Sequence, residues 1–228
     1  MERPGPSVRR PGASKEEAVY VASVDRSFGE DEWRPFVEAQ GFGHFVAAGD
    51  GSGYPVVVPT QFVLDGDEVL THFAAPNPVF GALTADPRAV LSVAGDWAYV
   101  PSDWKAIGDE DPALGIPTTY YAAVQLRGRA EVRQAPPEVA AVLRRQLAVV
   151  QPGTPIADPE EAHPARLKGI RAVVLQVEEV VAKFKYGGNV DEAHRRAVVD
   201  HLRDRGGPGD KAAAAQTERR LAWSASRD

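Results

Sequence analysis

Residues 118–132 read TTYYAAVQLRGRAEV, the longest alternating run in this chain of 228 residues. Positions 120, 122, 124 and 126 are apolar, whereas most of the positions between them are polar. Successive side chains of a strand point to opposite faces, so the run predicts a long strand with one buried and one polar face. Such a strand is typical of a barrel wall.

Shorter strand candidates lie on both sides of this run. They are rich in Val, Phe, Tyr and Thr and are separated by Gly- and Asp-containing turns; they cover residues 44–48, 54–63, 68–73, 89–94, 97–100 and 171–177. Apolar residues at helical spacing predict helices over 30–40, after a capping-box spacing at 27–30, and over 136–150. Asn77 and Asn189 are positioned as caps of two further helices. The sequence predicts an α+β fold, an antiparallel and at least partly closed β-barrel of about six strands with peripheral helices.

The sequence predicts one central domain with a separate segment at each end. Residues 1–18 are rich in Pro, Gly and charge, which predicts a disordered leader. Residues 19–205 are predicted to form one barrel domain, and the Gly-rich break at 206–209 precedes a C-terminal helix or tail over 206–228. The acidic stretch 102–116 is long for a connection, which favours a functional loop.

Composition excludes several classes of protein. The chain has no cysteine, which rules out disulfides, cysteine–zinc sites and thiol catalysis. Its net charge of −6 makes direct nucleic-acid binding unexpected. A signal peptide and a membrane-spanning run are not evident, so we expect a cytoplasmic protein. Motifs for nucleotide-binding loops, metalloproteases and serine hydrolases are missing, which leaves the catalytic residues unknown.

Four segments carry the most specific signal. They read THFAAPNP at 71–78, WAYVPSDWK at 97–105, IPTTYYAAV at 116–124 and KFKYGGN at 183–189. In order and spacing they resemble the PaiB-like family of FMN-binding split-barrel proteins, whose members read approximately GHxxRANP, AYVSPSWY, VPTWNYxxVHxxG and KFKLSQN. The resemblance implies a split barrel, a homodimer and an FMN pocket at the subunit interface. The family is also labelled as negative transcriptional regulators, and its relatives include haem-dependent piperazate synthases.

The matching positions supply a set of candidate cofactor contacts. They are His72, Asn77, Ser102, Trp104, Lys105, Thr118, Tyr120, Tyr121, Lys183 and Lys185. His72 could hydrogen-bond a flavin, or it could ligate haem iron if the cofactor is haem. No other metal site is predicted for it. The structural alternative is a core histidine. Asn77 caps its helix, whose N-terminus could face an anion.

Each remaining candidate has a structural alternative. Ser102 and Lys105 could hold a phosphate or a propionate, or belong to a solvated loop. Trp104, Tyr120 and Tyr121 could stack on a planar ring or form plain barrel core. The two lysines at 183 and 185 alternate along an extended segment, so both could meet one anion; otherwise they are exposed.

Several motif positions depart from the family pattern. Ala75 replaces an arginine, Thr119–Tyr120 replaces Trp-Asn, and residues 186–188 replace Leu-Ser-Gln. Polar contacts have therefore changed while the scaffold remains. The main hypothesis is an FMN-binding, flavin-linked oxidoreductase or redox carrier. The alternatives are a haem b enzyme with His72 as axial ligand and a non-catalytic regulator.

Overall fold

A seven-stranded antiparallel sheet is the main element of the computed structural model, which describes residues 19–49, 51 and 53–225. The strands are β1 (Phe42–Ala47), β2 (Val56–Gln61), β3 (Val63–Asp65), β4 (Glu68–Ala74), β5 (Arg88–Val100), β6 (Thr118–Arg133) and β7 (Ile170–Lys185). Their order in the sheet is β2-β1-β5-β6-β7-β4-β3. The predicted antiparallel barrel architecture is confirmed, with seven strands where about six were expected. The predicted leader at 1–18 lies outside the described residues.

Helices accompany the sheet at its connections. They are α1 (Glu30–Gln40), α2 (Val79–Ala85), α3 (Pro136–Val150), α4 (Pro159–Ala162), α5 (Pro164–Leu167), α6 (Glu192–Arg205) and α7 (Asp210–Ala225). The predictions for α1, α3 and β6 are confirmed within a residue or so. The proposed C-terminal helix is also present as α7.

Some boundaries predicted from the sequence are wrong. Residues 88–100 form one strand rather than two, although Asp96 within it has a positive φ of 50°. Strand β7 continues to Lys185 instead of stopping near 177. Helix α1 is capped by Gly29 and not by Ser27, and α6 by Asp191 and not by Asn189.

The chain forms two compact units, each built from separate stretches. Within the described residues, the first consists of Gly29–Val93 and Val124–Val181, and the second of residues 19–28, Ala94–Ala123 and residues 182–225. In the first unit, α3 packs on strands through buried Leu70, Val139 and Val174. In the second, Tyr120, Phe184 and Tyr186 are buried.

Candidate functional site

Four of the predicted site residues meet where β6 begins and β7 ends. Lys183 and Lys185 are two residues apart on β7, whereas Phe184 and Tyr186 between and beside them are buried. The Lys185 Nζ atom donates a hydrogen bond to Thr118 Oγ1 at 2.8 Å. The Tyr121 ring centroid lies 5.8 Å from Lys183 Nζ and 6.0 Å from Lys185 Nζ. The strand geometry therefore places two cations, a hydroxyl and an aromatic ring together.

A third lysine belongs to the same electrostatic environment. Ser102 precedes a 3₁₀ turn over Asp103–Lys105, and its carbonyl accepts a hydrogen bond from the Lys105 backbone N–H at 3.2 Å. Burial lowers the pKa of the Lys105 ammonium, and the positive charge of Lys185 lowers it further. Because like charges raise the energy of the charged forms, an anion at this position would relieve the repulsion.

The donor set suits a phosphate group. Within the part of the chain that the structure describes, the ammonium groups of Lys105, Lys183 and Lys185 make no ion pair with a carboxylate. A monoester phosphate has a second pKa of about 6 and so carries close to two negative charges at neutral pH. Lysines and hydroxyls bind such groups through charge-assisted hydrogen bonds. These residues therefore fit the phosphate of FMN.

Trp104 anchors the turn that carries Lys105. Its ring stacks on His201 with centroids 5.1 Å apart and an interplanar angle of 20°. The Arg205 guanidinium lies 4.4 Å from the same ring centroid. Since both partners are on α6, Trp104 fixes the turn against that helix.

Tyr120 has the packing of a core residue, as the structural alternative predicted. Its side chain is 1% exposed and meets Tyr186 edge to face, with ring centroids 5.8 Å apart. Burial raises the pKa of the Tyr120 phenol to about 12, against a lowering effect of the Arg195 charge. The phenol therefore stays protonated at neutral pH.

His72 and Asn77 belong to the first unit. The Gln146 Nε2 donates to the Leu70 carbonyl at 3.1 Å, which turns Gln146 Oε1 towards His72 Nδ1 at 2.9 Å. An amide oxygen only accepts, so Nδ1 is the donor in this bond and Nε2 is the other nitrogen of this exposed imidazole. Asn77 Oδ1 accepts from the N–H of Val79, the first residue of α2, at 3.0 Å, although the N-cap position itself is Pro78 and not Asn77 as predicted.

Sequence reasoning missed several residues around the lysines. The Tyr20 carbonyl accepts from Lys183 Nζ at 3.1 Å. Asp25 is buried near the same cations, and burial raises the pKa of its carboxyl while Lys183 and Lys185 lower it. These positions carry no local motif. The segment that contains Tyr20 and Asp25 lies beside the end of β7 because Arg26 forms an isolated β-bridge with Lys183, a residue far away in sequence.

A cavity lies beside the turn that carries Lys105. It has a volume of about 330 Å³ and is lined by Lys105, Ala106, Glu110, Asp111, Leu114 and Gly115. Glu110 accepts from His194 Nε2, and His194 Nδ1 bonds to Asp191. The predicted functional loop thus contains a cavity with acidic and basic walls.

Neither a cluster of metal ligands nor a membrane-spanning helix occurs among the described residues. Groups of three or more potential metal ligands among His, Cys, Asp and Glu are not found there. None of the helices described is both long enough and apolar enough to cross a bilayer.

Comparison with known proteins places the chain among flavin-related sequences and folds. A family model described as "Putative FMN-binding domain" matches residues 20–179. The Bacillus subtilis (strain 168) protein named Protease synthase and sporulation protein PAI 2 is 26% identical over 211 residues, covering 89% of this chain and 98% of that protein.

Solved structures share the fold at low sequence identity. The flavocytochrome Anf3 from Azotobacter vinelandii aligns with a TM-score of 0.54 and 21% identity, over 75% of this chain and 74% of its own. An FAD and heme binding protein from Mycobacterium smegmatis aligns with a TM-score of 0.55 and 19% identity, over 76% and 79% of the two chains. The split-barrel fold predicted from the sequence is confirmed.

Proposed function

Because the chain belongs to the family of FMN-binding domains, with FMN as its cofactor, we propose that it is a flavin-linked oxidoreductase or redox carrier. We further propose that Lys105, Lys183 and Lys185 hold the flavin phosphate. The observation that carries this proposal is the cluster of three lysines, with Thr118 and Tyr121 beside two of them. The buried Asp25 carboxylate interacts electrostatically with Lys183 and Lys185 and offsets only part of the positive charge of the cluster.

The residues of the cluster have distinct tasks in this proposal. Lys185 is held by Thr118, so its ammonium loses little side-chain freedom when it meets a phosphate. Burial and the charge of Lys185 lower the pKa of the Lys105 ammonium, and an anion beside it would raise that pKa again. Tyr121 supplies an aromatic surface for the planar part of the ligand. FMN, when bound, supplies electron or hydride transfer.

The phosphate site is tested by comparing FMN with riboflavin, which lacks the phosphate. Loss of one charge-assisted bond costs about 1.5–3 kcal/mol, so Lys185→Ala is expected to weaken FMN binding roughly tenfold to a hundredfold. Riboflavin binding should change little, and Lys211→Ala, at an exposed position on α7, serves as the matched control. Equal losses for FMN and riboflavin would contradict the assignment.

The redox part of the proposal needs a separate measurement. We expect the FMN-loaded protein to be reduced by NADH or NADPH without oxygen, which bleaches the visible flavin absorbance. Reoxidation by an added electron acceptor would complete a catalytic cycle. FMN binding without reduction by either donor, or by a reduced flavin partner, would favour the non-catalytic regulator.

We also propose that the protein is a homodimer. Trp97 and Tyr99 lie on one face of β5 and are 59% and 51% exposed, which is high for large aromatic side chains. Burial of such residues in a subunit interface stabilises association. Sedimentation velocity should show a dimer that Trp97→Glu dissociates, whereas Val149→Glu, at an exposed position of α3, should leave the dimer intact. A monomeric native protein would refute this part.

A specific observation favours haem as a second candidate ligand. The bond between His72 Nδ1 and Gln146 orients the exposed ring and leaves Nε2 as the nitrogen that could ligate haem iron. Haemin titration should give a sharp Soret band that His72→Ala removes and His44→Ala, at another exposed histidine, keeps. The same spectrum in both variants would exclude His72 as the axial ligand.

A further inference from the structure

His194 makes a hydrogen bond through each ring nitrogen. Its Nδ1 lies 2.8 Å from Asp191 Oδ2 and its Nε2 lies 2.9 Å from Glu110 Oε2. Ionised carboxylates only accept, so both ring nitrogens donate when the two bonds exist together. The arrangement is therefore that of an imidazolium between two carboxylates.

The charged groups that act on this ring come from two directions. Asp191, the cap of α6, also accepts from the His194 backbone N–H at 3.0 Å. Glu110, from the loop, also accepts from the Ile107 N–H at 3.0 Å. Glu192, the first residue of α6, forms an ion pair with Arg196 at 2.6 Å and not with His194. Hydrogen bonding to Asp191 and then to Glu110 raises the pKa of His194 above its ordinary value of 6.5.

Glu110 shares a cavity with one of the three proposed phosphate-binding lysines, Lys105. Asp111 lines the same cavity. A carboxylate near Lys105 competes with an incoming phosphate for the ammonium and repels the phosphate directly. Pairing with a positive His194 removes much of that repulsion and holds the carboxylate at the helix.

We propose that His194 is a positioning residue for the flavin phosphate: it binds and neutralises Glu110, so that the cavity lined by Lys105 accepts an anion. The inference rests on the proposed function, because it takes Lys105 as a phosphate ligand. The ligand class is a phosphate monoester, represented by FMN.

The direction of the pH effect follows from the contacts. The pKa of His194 is raised in the folded protein, so the contribution of the pairing is complete below the ordinary value of 6.5 and is lost as pH rises through the raised value. FMN affinity is therefore expected to fall through this alkaline window. By linkage, bound phosphate raises the pKa of His194 further.

The phosphate group has its own ionisation near about pH 6, which strengthens binding as pH rises. His194→Gln separates the two effects, because glutamine keeps a donor for Glu110 without the charge. The alkaline fall should be present in the native protein and missing in His194→Gln. Riboflavin should show neither effect.

A double-mutant cycle distinguishes two roles of His194: neutralising the charge of Glu110, or only holding the loop that contains Glu110 in place. At about pH 6, His194→Gln is expected to weaken FMN binding roughly two- to fivefold, the size of one exposed charge interaction. Glu110→Gln is expected to tighten it by a similar factor, and His194→Gln should then have no further effect. If both single changes weaken FMN binding, Glu110 is only a structural tether and the inference is overturned.

An NMR titration of His194 in the FMN-free protein tests the pairing itself. The pKa of His194 should fall in Glu110→Gln and rise when FMN is added. An unchanged pKa in Glu110→Gln would overturn the inference alone. An unchanged FMN affinity in Lys105→Ala would instead overturn the phosphate site, whatever the titration shows, and the inference would fail with it.

Discussion

Gly187 occupies a position where the structure leaves no space for a side chain. Its φ is +73°, a conformation that residues with a Cβ adopt at a cost. A Cβ added there would lie 2.3 Å from Tyr120 Oη, 3.1 Å from Tyr120 Cζ and 3.2 Å from Arg195 Cγ. The Tyr120 ring is buried against Tyr186 and has little freedom to move away.

The expected cost of Gly187→Ala follows from these two effects. The left-handed conformation costs about 1–2 kcal/mol, and forcing a methyl group into a packed interior costs about 1–3 kcal/mol. The free energy of unfolding should fall by about 2–5 kcal/mol, which lowers the melting temperature by roughly 5–15 °C. Gly108→Ala is the matched control, with a φ of +60° and no atom within 4 Å of the added Cβ. It should show only the conformational cost.

Urea unfolding of the two variants measures the difference. Tyr120→Phe should recover part of the loss in the Gly187→Ala background, because it removes Oη but leaves the ring carbon close. Equal losses in Gly187→Ala and Gly108→Ala would refute the reasoning and show that the turn yields. So would a double variant no more stable than Gly187→Ala alone.

Two further changes test contacts in the first unit. Gln146→Leu leaves the Leu70 carbonyl without its side-chain donor, so the free energy of unfolding should fall by about 1–3 kcal/mol in urea, whereas His72→Ala at an exposed position should cost much less. Hydrogen bonds from Arg144 lower the pKa of Asp158 to about 2, so their contribution is complete above the ordinary value of 3.8 and is lost as pH falls towards 2. An NMR titration should find this low midpoint, and Arg144→Ala should return it towards 3.8.

Long periodic patterns predicted their elements well. The alternation over 118–132 became β6, with Tyr120, Ala122 and Val124 buried as expected. The apolar stripe over 136–150 became α3 with the same bounds. In both cases the period extends over many residues, so local propensity and packing favour the same structure.

Short or mixed patterns predicted less. The second half of β7 contains Glu178 and Glu179 followed by apolar residues on both faces, which obscures the alternation. Asn189 and Asp191 are both good cap residues, and only the folded structure shows that Asp191 accepts from the His194 N–H. The lysines of the fourth motif are in the strand because β7 continues through them.

In the candidate site, too, some contacts were predictable from the sequence and others were not. Motif spacing brought Lys183, Lys185, Thr118 and Tyr121 into one set, and the structure gives contacts among them. The bond from Lys183 to Tyr20 joins residues 163 positions apart, and that from His194 to Glu110 joins residues 84 apart. A single sequence carries no signal for such pairs, since their proximity depends on the path of the whole chain.

Arg220 on α7 reaches back to the start of the described chain, where it donates hydrogen bonds to the Val24 and Arg26 carbonyls. These groups are 196 and 194 positions apart in sequence. A ribosome adding about 5–20 residues per second needs roughly 10–40 s to make the intervening chain. The carbonyls of Val24 and Arg26 therefore cannot form these hydrogen bonds until Arg220 has been synthesised. The contacts of the second unit can be completed only after translation of α7.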